Sequence, residues 1–390
     1  MSLNTDGKIM LITGTRPEII KLYPIMRLFD IENIDYTYIH TGQHHDFNLF
    51  LKFINEFNIR KPDHIIKLDH PDDPIIQFSE ILSGVGKALK KYKTSSLITV
   101  GDTNSVAAAS LAGSKSKIPV IHMEAGLRSY DWRMPEEYNR RMTDHISDVL
   151  FSPTDEAALI LSKEQVQGKI YTVGNTVIDA VRLCLEKTSL NRTNKQKINE
   201  NTCSPVIEDI QDNYILLTLH RQENVDNQDI LKRIFNALSA LNINCIFPVH
   251  PRTLKRIHQF GLGDYIGKNV KIIEPVGYHE FLRLLKNCQF IITDSGGVQE
   301  EITSPLINKK ALIFRESTER RESIISGHSI LCNLDYNSMF ESIKGILSSK
   351  SLLSKSPYGD GYAAEKILDI LKKEPIIPLS GKTLYQYAQV

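Results

Sequence analysis

The sequence predicts an α/β protein made of two similar halves, and three observations carry that prediction. Short apolar runs alternate with amphipathic stretches; the alternation breaks once near the middle and restarts; and polar residues gather directly after the strand-like runs. KIMLIT (8–13) precedes a helix-like PEIIKLYPIMRLF (17–29), YTYIHTG (36–42) precedes FNLFLKFI (47–54), and SSLITVG (95–101) precedes SVAAASLAG (105–113). That rhythm, continued through IPVIHM (118–123), DVLFSP (148–153) and KIYTVG (169–174), argues a parallel sheet with helices on both faces. It defines a first domain over residues 1–185.

From about residue 188 the chain turns polar and Asn-rich with little apolar periodicity, so 186–212 is expected to be a linker. A second βα series then occupies 213–357: YILLTLH (214–220), CIFPVHP (245–251), VKIIEPV (270–276), QFIITDSGG (289–297) and ALIFRE (311–316), separated by helix-like stretches. PYGDGYAAEKILDILKK (357–373) reads as a turn followed by a helix that starts near Gly361. A length of 390 residues suits two domains, since single cores stop growing well before that size.

Composition narrows the function. With 41% hydrophobic and 24% charged residues this is ordinary globular material, and a formal net charge of +1 offers no global attraction to nucleic acid or to an anionic membrane. No basic run or aromatic–basic stripe appears, so neither partner is expected and any anion must be held locally. Apolar runs are strand-length, and the polar MSLNTDGK start lacks the apolar segment of a signal peptide. Five cysteines, odd in number and without a C-x-x-C pair, fit a reducing cytoplasm.

In open parallel sheets, ligands collect outside the carboxyl ends of the strands. Gly14-Thr15-Arg16, Thr41-Gly42-Gln43-His44, Gly101-Asp102-Thr103, His122-Met123-Glu124, His220-Arg221, His250 and Asp294-Ser295-Gly296-Gly297 all stand there. Arg16 and Lys21 flank the start of a helix with Pro17 at its first turn, a suitable holder for a diphosphate. Ser295, Gly296 and Gly297 place a hydroxyl and closely approachable amides between a strand and a helix, with Glu301 further along to accept from ribose hydroxyls. Asp102, Glu124, Glu136 and Glu137 form an acidic set on the first half; carboxylates near an anion repel it unless they move protons. His220 and His250 are candidate donors to a leaving phosphate. Gly261-Leu-Gly263-Asp-Tyr-Ile-Gly267 has the wrong spacing for a dinucleotide fingerprint, and there is no Walker loop, H-E-x-x-H or cysteine cluster. No cofactor or metal is assigned.

The motifs resemble the non-hydrolysing UDP-N-acetylglucosamine 2-epimerases: GTRPEIIK (14–21), TGQH (41–44), GDT (101–103), HMEAGLRS (122–129), MPEEYNRRMTDH (134–145), FSPT (151–154), VGNTVIDA (173–180), HRQEN (220–224), PVHPRT (248–253), DSGGVQEE (294–301), TER (318–320) and PYGDG (357–361), in the family's order. The resemblance implies two Rossmann-like domains in a GT-B-like arrangement, an active site in the interdomain cleft, and a helix at about 358–373 that crosses back onto the first domain. It implies elimination of UDP to a 2-acetamidoglucal and re-addition with the opposite configuration at C2. Asp102, Glu124 and Glu136 match the acid/base carboxylates and His220 the catalytic histidine; Arg16, Lys21, His250, Arg252, Ser295, Gly296, Glu301 and Arg320 fall on motifs associated with nucleotide or phosphate binding. The implied ligand is a UDP-sugar and the implied assembly a homodimer. Gln43 and His44 stand where bacterial members take a second, allosteric UDP-sugar, although His70-Pro71-Asp72-Asp73 departs from their accompanying loop. Two further departures are Thr318-Glu319-Arg320-Arg321-Glu322 in place of TERPE, and Asn308-Lys309-Lys310 in place of G-K-P, which is expected to loosen a turn. Competing readings are a C2 epimerase of a UDP-diacetamido-uronic acid, a hydrolysing epimerase, and a GT-B glycosyltransferase.

Overall fold

The computed structural model describes residues 7–43, 47–193, 213–241, 243–348, 353–374 and 379. The chain divides into two compact units, one of Met1–Ala180 with Tyr358–Val390 and one of Val181–Pro357. Each holds a single all-parallel sheet.

In the first unit the strands are β1 (Lys8–Thr13), β2 (Tyr36–His40), β3 (His64–Ile65), β4 (Thr94–Val100), β5 (Val120–Met123), β6 (Val149–Ser152) and β7 (Lys169–Thr172), in the order β3-β2-β1-β4-β5-β6-β7. Strand order therefore reverses between β1 and β4, the Rossmann arrangement. β2 is buried along its whole length and β1 everywhere after Lys8, as expected of strands covered on both faces. Helix Arg16–Ile31 keeps Pro24 within it and buries Ile19, Leu22, Ile25, Met26 and Phe29.

In the second unit β8 (Tyr214–Thr218), β9 (Asn244–Pro248), β10 (Val270–Ile273), β11 (Phe290–Thr293), β12 (Lys310–Ile313) and β13 (Ser329–Leu331) lie in the order β10-β9-β8-β11-β12-β13, the same Rossmann reversal between its first and fourth strands. Its core joins Leu217, Leu231, Phe235, Phe247, Phe290, Leu312 and Met339.

Two local expectations are corrected. Helix Thr176–Thr193 runs into the stretch read as linker; no Gly or Pro interrupts residues 176–193, so nothing stops it at 186. Residues 194–212 lie outside the described set. The turn at Asn308 is not loose: Asn308 takes the left-handed conformation (φ 48°), which Asn tolerates, and its Oδ1 meets His328 Nε2 at 3.1 Å.

Helix Ala363–Lys373 belongs to the first unit, against helix Arg16–Ile31. Its start is held by Asp179, which accepts from the amides of Ala363 (3.2 Å) and Ala364 (2.7 Å), and Lys372 pairs with Glu32 at 2.9 Å. The incoming chain passes so near Gly174 that a Cβ there would sit 3.0 Å from the Tyr358 carbonyl, and Gly174 also has φ 97°, so glycine is required. Asp179→Ala should cost about 1–2 kcal/mol by removing this buried cap. Hydrogen exchange is expected to show lost amide protection over Ala363–Lys373, with the second unit's strands unchanged.

Candidate active site

The loops after β1 and β4 flank the switch point of the first sheet. Gly14 is packed against β4's neighbour loop so closely that a Cβ would fall 1.9 Å from Ser105 Oγ, which fixes the path of the turn. Glu18, one turn into the helix and 2% exposed, accepts from the amides of Gly14 (2.5 Å) and Thr15 (3.2 Å) with Oε2 and from the Thr103 hydroxyl (2.5 Å) with Oε1. Burial pushes its carboxyl up to about 7, against the pull of these donors. Arg16 is exposed, its guanidinium over the Phe53 ring at 4.2 Å.

Asp102 and Glu124 come from neighbouring strand ends, because Val100 of β4 is in register with Met123 of β5. Each faces a buried cation. Arg140, 3% exposed, reaches Asp102 Oδ2 at 2.5 Å, and Lys21 pairs with Glu124 Oε2 with both side chains buried. Asn175 Nδ2 lies 3.4 Å from the same Glu124 oxygen, and Glu124 carries a left-handed φ of 68°, uncommon for a non-glycine residue. Glu136, in the first turn of helix Pro135–Ile146, is partly exposed.

Behind Asp102 runs a chain of ion pairs. Arg140 also binds Glu137 (3.0 Å); Arg141 joins Glu137 (3.2 Å) to Glu164 (2.8 Å); Arg128 joins Glu164 (2.6 Å) to Asp144 (2.7 Å); and Asp144 meets His122 Nδ1 at 2.8 Å. His122 Nε2 then donates to the Gly101 carbonyl at 2.9 Å, returning to the Asp102 loop. Burial pushes Glu137 and Asp144 up, but the Ser129 amide and Arg140 for the first, and His122 and Arg128 for the second, outweigh it and hold both below the usual carboxylate range.

In the second unit, β8 and β11 are neighbours, and the residues after them meet. Asp294 is fully buried and accepts from the His220 Nδ1 (3.0 Å), the Arg221 amide (3.0 Å) and Asn224 Nδ2 (3.1 Å). Burial raises its pKa, yet His220 and these donors more than reverse that. The His220 side chain itself is 46% exposed. His250 is the N-cap of helix Pro251–Gln259, its Nδ1 accepting from the Arg252 amide at 3.2 Å. Ser295 precedes helix Gly296–Glu301; a Cβ on Gly296 would meet Glu319 Oε1 at 2.8 Å, whereas one on Gly297 would meet nothing within 4 Å. Glu301 is buried and accepts from the Tyr278 hydroxyl at 2.9 Å.

Three cations read as phosphate binders have carboxylate partners. Lys21 faces Glu124, Arg252 faces Asp226 (2.5 Å), and Arg320, 4% exposed, faces Glu300 (2.6 Å) and Glu319 (3.2 Å). Gln43 accepts from the Ser105 amide (2.9 Å) and hydroxyl (2.6 Å), while His44 lies outside the described residues. The sequence reading passed over Glu18, Arg140, Asn175 and Asp294 as functional residues. Glu18 had a signal, the third helical position after Thr15 in a capping-box pattern, and Asp294 opened a motif already singled out; Arg140 and Asn175 lay inside the motifs MPEEYNRRMTDH and VGNTVIDA, with nothing in their spacing to mark them individually.

The chain matches the family model described as UDP-N-acetylglucosamine 2-epimerase over residues 27–372. It is 42% identical over 374 residues to the UDP-N-acetylglucosamine 2-epimerase of Methanocaldococcus jannaschii, covering 93% of this chain and 98% of that protein. It is 41% identical over 382 residues to the protein of the same name from Methanococcus maripaludis, covering 94% and 100%. The crystal structure of Methanocaldococcus jannaschii UDP-GlcNAc 2-epimerase in complex with UDP-GlcNAc and UDP superposes with a TM-score of 0.84 at 41% identity, over 94% of this chain and 100% of that one.

Glu18 generates a pH prediction. Its folded-state pKa of about 7 stands above the ordinary value of 4.5, so the folded state holds the proton longer. Its stabilising contribution is complete below pH 4.5 and is lost as pH rises through 7. Glu18→Gln, uncharged throughout, should flatten the fall in stability between pH 5 and 7 by up to about 1.4 kcal/mol per pH unit. Urea unfolding of both proteins across that range measures the difference; parallel curves would rule out the buried ionisation.

Proposed function

Because the chain belongs to the UDP-N-acetylglucosamine 2-epimerase family, we propose that it interconverts UDP-GlcNAc and its C2 epimer UDP-ManNAc without net hydrolysis. The observation that carries this reading is the pairing of Asp102 and Glu124 at adjacent strand ends of one sheet, each with a buried cation beside it. Inversion at C2 needs a proton removed from one face and returned to the other, and two carboxylates held in different settings are suited to the two tasks.

Departure of UDP leaves positive charge at C1 and the ring oxygen, which acidifies the C2 proton; a carboxylate then takes it and the 2-acetamidoglucal forms. Re-addition of UDP at C1, with protonation of C2 from the opposite face, completes the epimerisation. Asp102, Glu124 and Glu136 are assigned to the proton transfers. His220, oriented by Asp294, and His250 are assigned to the diphosphate, with Ser295, Gly296 and Gly297 contributing donors to it and Glu301 to the ribose. Arg16, an exposed guanidinium on the first unit, is assigned to phosphate binding. Lys21 and Arg320 act instead through the carboxylates they neutralise. Keeping UDP and glucal together makes re-addition effectively intramolecular. A cytoplasmic homodimer belongs to the same reading; among the described residues no helix is long and apolar enough to cross a membrane. The carboxylate pair favours C2 proton transfer over acceptor-dependent glycosyl transfer.

Incubation with UDP-GlcNAc in deuterated water should yield UDP-ManNAc carrying deuterium at C2, followed by NMR; unlabelled, unconverted sugar would refute the assignment, and free UDP rising in step with product would indicate hydrolysis. Asp102→Asn and Glu124→Gln should each lower turnover by ~10² or more while UDP titration by calorimetry stays near wild type. Activity retained in both would remove their roles.

A further inference from the structure

The turn after β1 and the loop after β4 are fastened together by one side chain. Glu18 Oε2 takes the Gly14 and Thr15 amides, and Oε1 takes the hydroxyl of Thr103, 85 residues further along the chain. Helix capping accounts for the first two bonds. It does not account for the third, which crosses from one strand end to its neighbour at the point where strand order reverses. Arg16 directly follows Thr15, and Asp102 directly precedes Thr103. The anchor therefore lies one residue from an exposed guanidinium and one residue from a paired carboxylate, while being itself buried and using both oxygens internally.

We infer that Glu18 is a positioning residue for the reaction, setting Asp102 and Arg16 in register with each other through Thr103 and the Gly14–Thr15 amides. The inference rests on the epimerase reading and deepens it. Asp102 is otherwise steadied by Arg140 on its side chain and by Asn139 on its carbonyl (3.0 Å), both from the helix after β5; Glu18 ties its loop to the turn after β1. Groups facing Glu18 are the Gly14 and Thr15 amides, Thr103 from the β4 loop, and Tyr38 from β2, whose phenol burial pushes up with Glu18 adding to it. Burial brings Glu18 to about 7, and the Thr103 bond works against that rise, so the same contact that places the loop also tunes the carboxyl. As long as Glu18 accepts the two turn amides, an incoming anion meets Arg16 rather than those amides.

The test uses the full-length protein as wild type, Glu18→Gln, Thr103→Val and the double variant, each also with Asp102→Asn, assayed for C2 deuterium exchange with UDP-GlcNAc and for UDP affinity by calorimetry. Each single change should lower kcat by ~10-fold or more, with UDP affinity altered less than about 3-fold, because misplacement of a reacting group is what is being introduced. The double variant should be no slower than the slower single, and neither change should slow the Asp102→Asn enzyme further. The ionisation near 7 should leave the pH profile of kcat in Glu18→Gln and move upward in Thr103→Val, where a bond to the charged form is lost. Thr103→Val removes only a hydroxyl and keeps the test open if Glu18→Gln unfolds. Independent, multiplying losses, or wild-type rates and an unmoved profile in Thr103→Val, would overturn the role of Glu18 alone. Absence of exchange in the wild type would overturn the epimerase reading beneath it.

Discussion

The buried pair between Lys21 and Glu124 is the constraint on which the first unit's chemistry depends. Neither charge is answered by bulk water, and leaving either one alone would cost on the order of 3–5 kcal/mol. Its geometry follows from strand order. The helix after β1 brings Lys21 to Glu124 just past the end of β5, and Glu124 takes a left-handed φ that a non-glycine residue adopts reluctantly. A buried pair of this kind adds little net stability and instead fixes where a carboxylate stands. The Asn175 amide, on the loop after β7, contributes a further contact to the same oxygen.

Asp102 is treated differently. Its side chain keeps 24% exposure and one strong partner, Arg140, which is itself held by Glu137. The chain of alternating charges behind it, out to Asp144 and His122, pins the guanidinium's fork rather than the carboxylate. Two carboxylates at adjacent strand ends thus meet unequal surroundings, one closed in with an ammonium and the other partly open beside a guanidinium. Such inequality is what separates proton acceptor from proton donor in a site that has to perform both roles on one carbon.

Much of the fold was legible because parallel strands buried on both faces leave continuous apolar runs, and β1, β4, β8 and β11 each read that way. The extent of helix Thr176–Thr193 was not, because a polar, Asn-rich stretch suits the end of a helix as well as a linker. Among candidate site residues, the strand-end rule singled out Asp102, Glu124 and His220, each of which does stand just after its strand, since the rule depends on topology alone. It could not say which cations hold an anion. Lys21, Arg252 and Arg320 looked alike in sequence, and only the fold brings Glu124, Asp226, Glu300 and Glu319 to them. Charge is written in the residue; its partner is written in the packing.

His220 shows what such a partner changes. Its Nδ1 lies against Asp294, an acceptor that also takes the Arg221 amide and Asn224, so the proton on that nitrogen is directed inward. In the neutral ring Nε2 is then left without a hydrogen and can only accept; it donates to a departing phosphate when the ring carries both protons. Asp294, buried and held ionised by its donors, fixes the ring's orientation. The part proposed for this histidine in leaving-group departure therefore depends on an aspartate that follows the neighbouring strand. Replacing Asp294 by Asn would keep a hydrogen-bonding side chain of the same shape and remove the negative charge that His220 Nδ1 lies against.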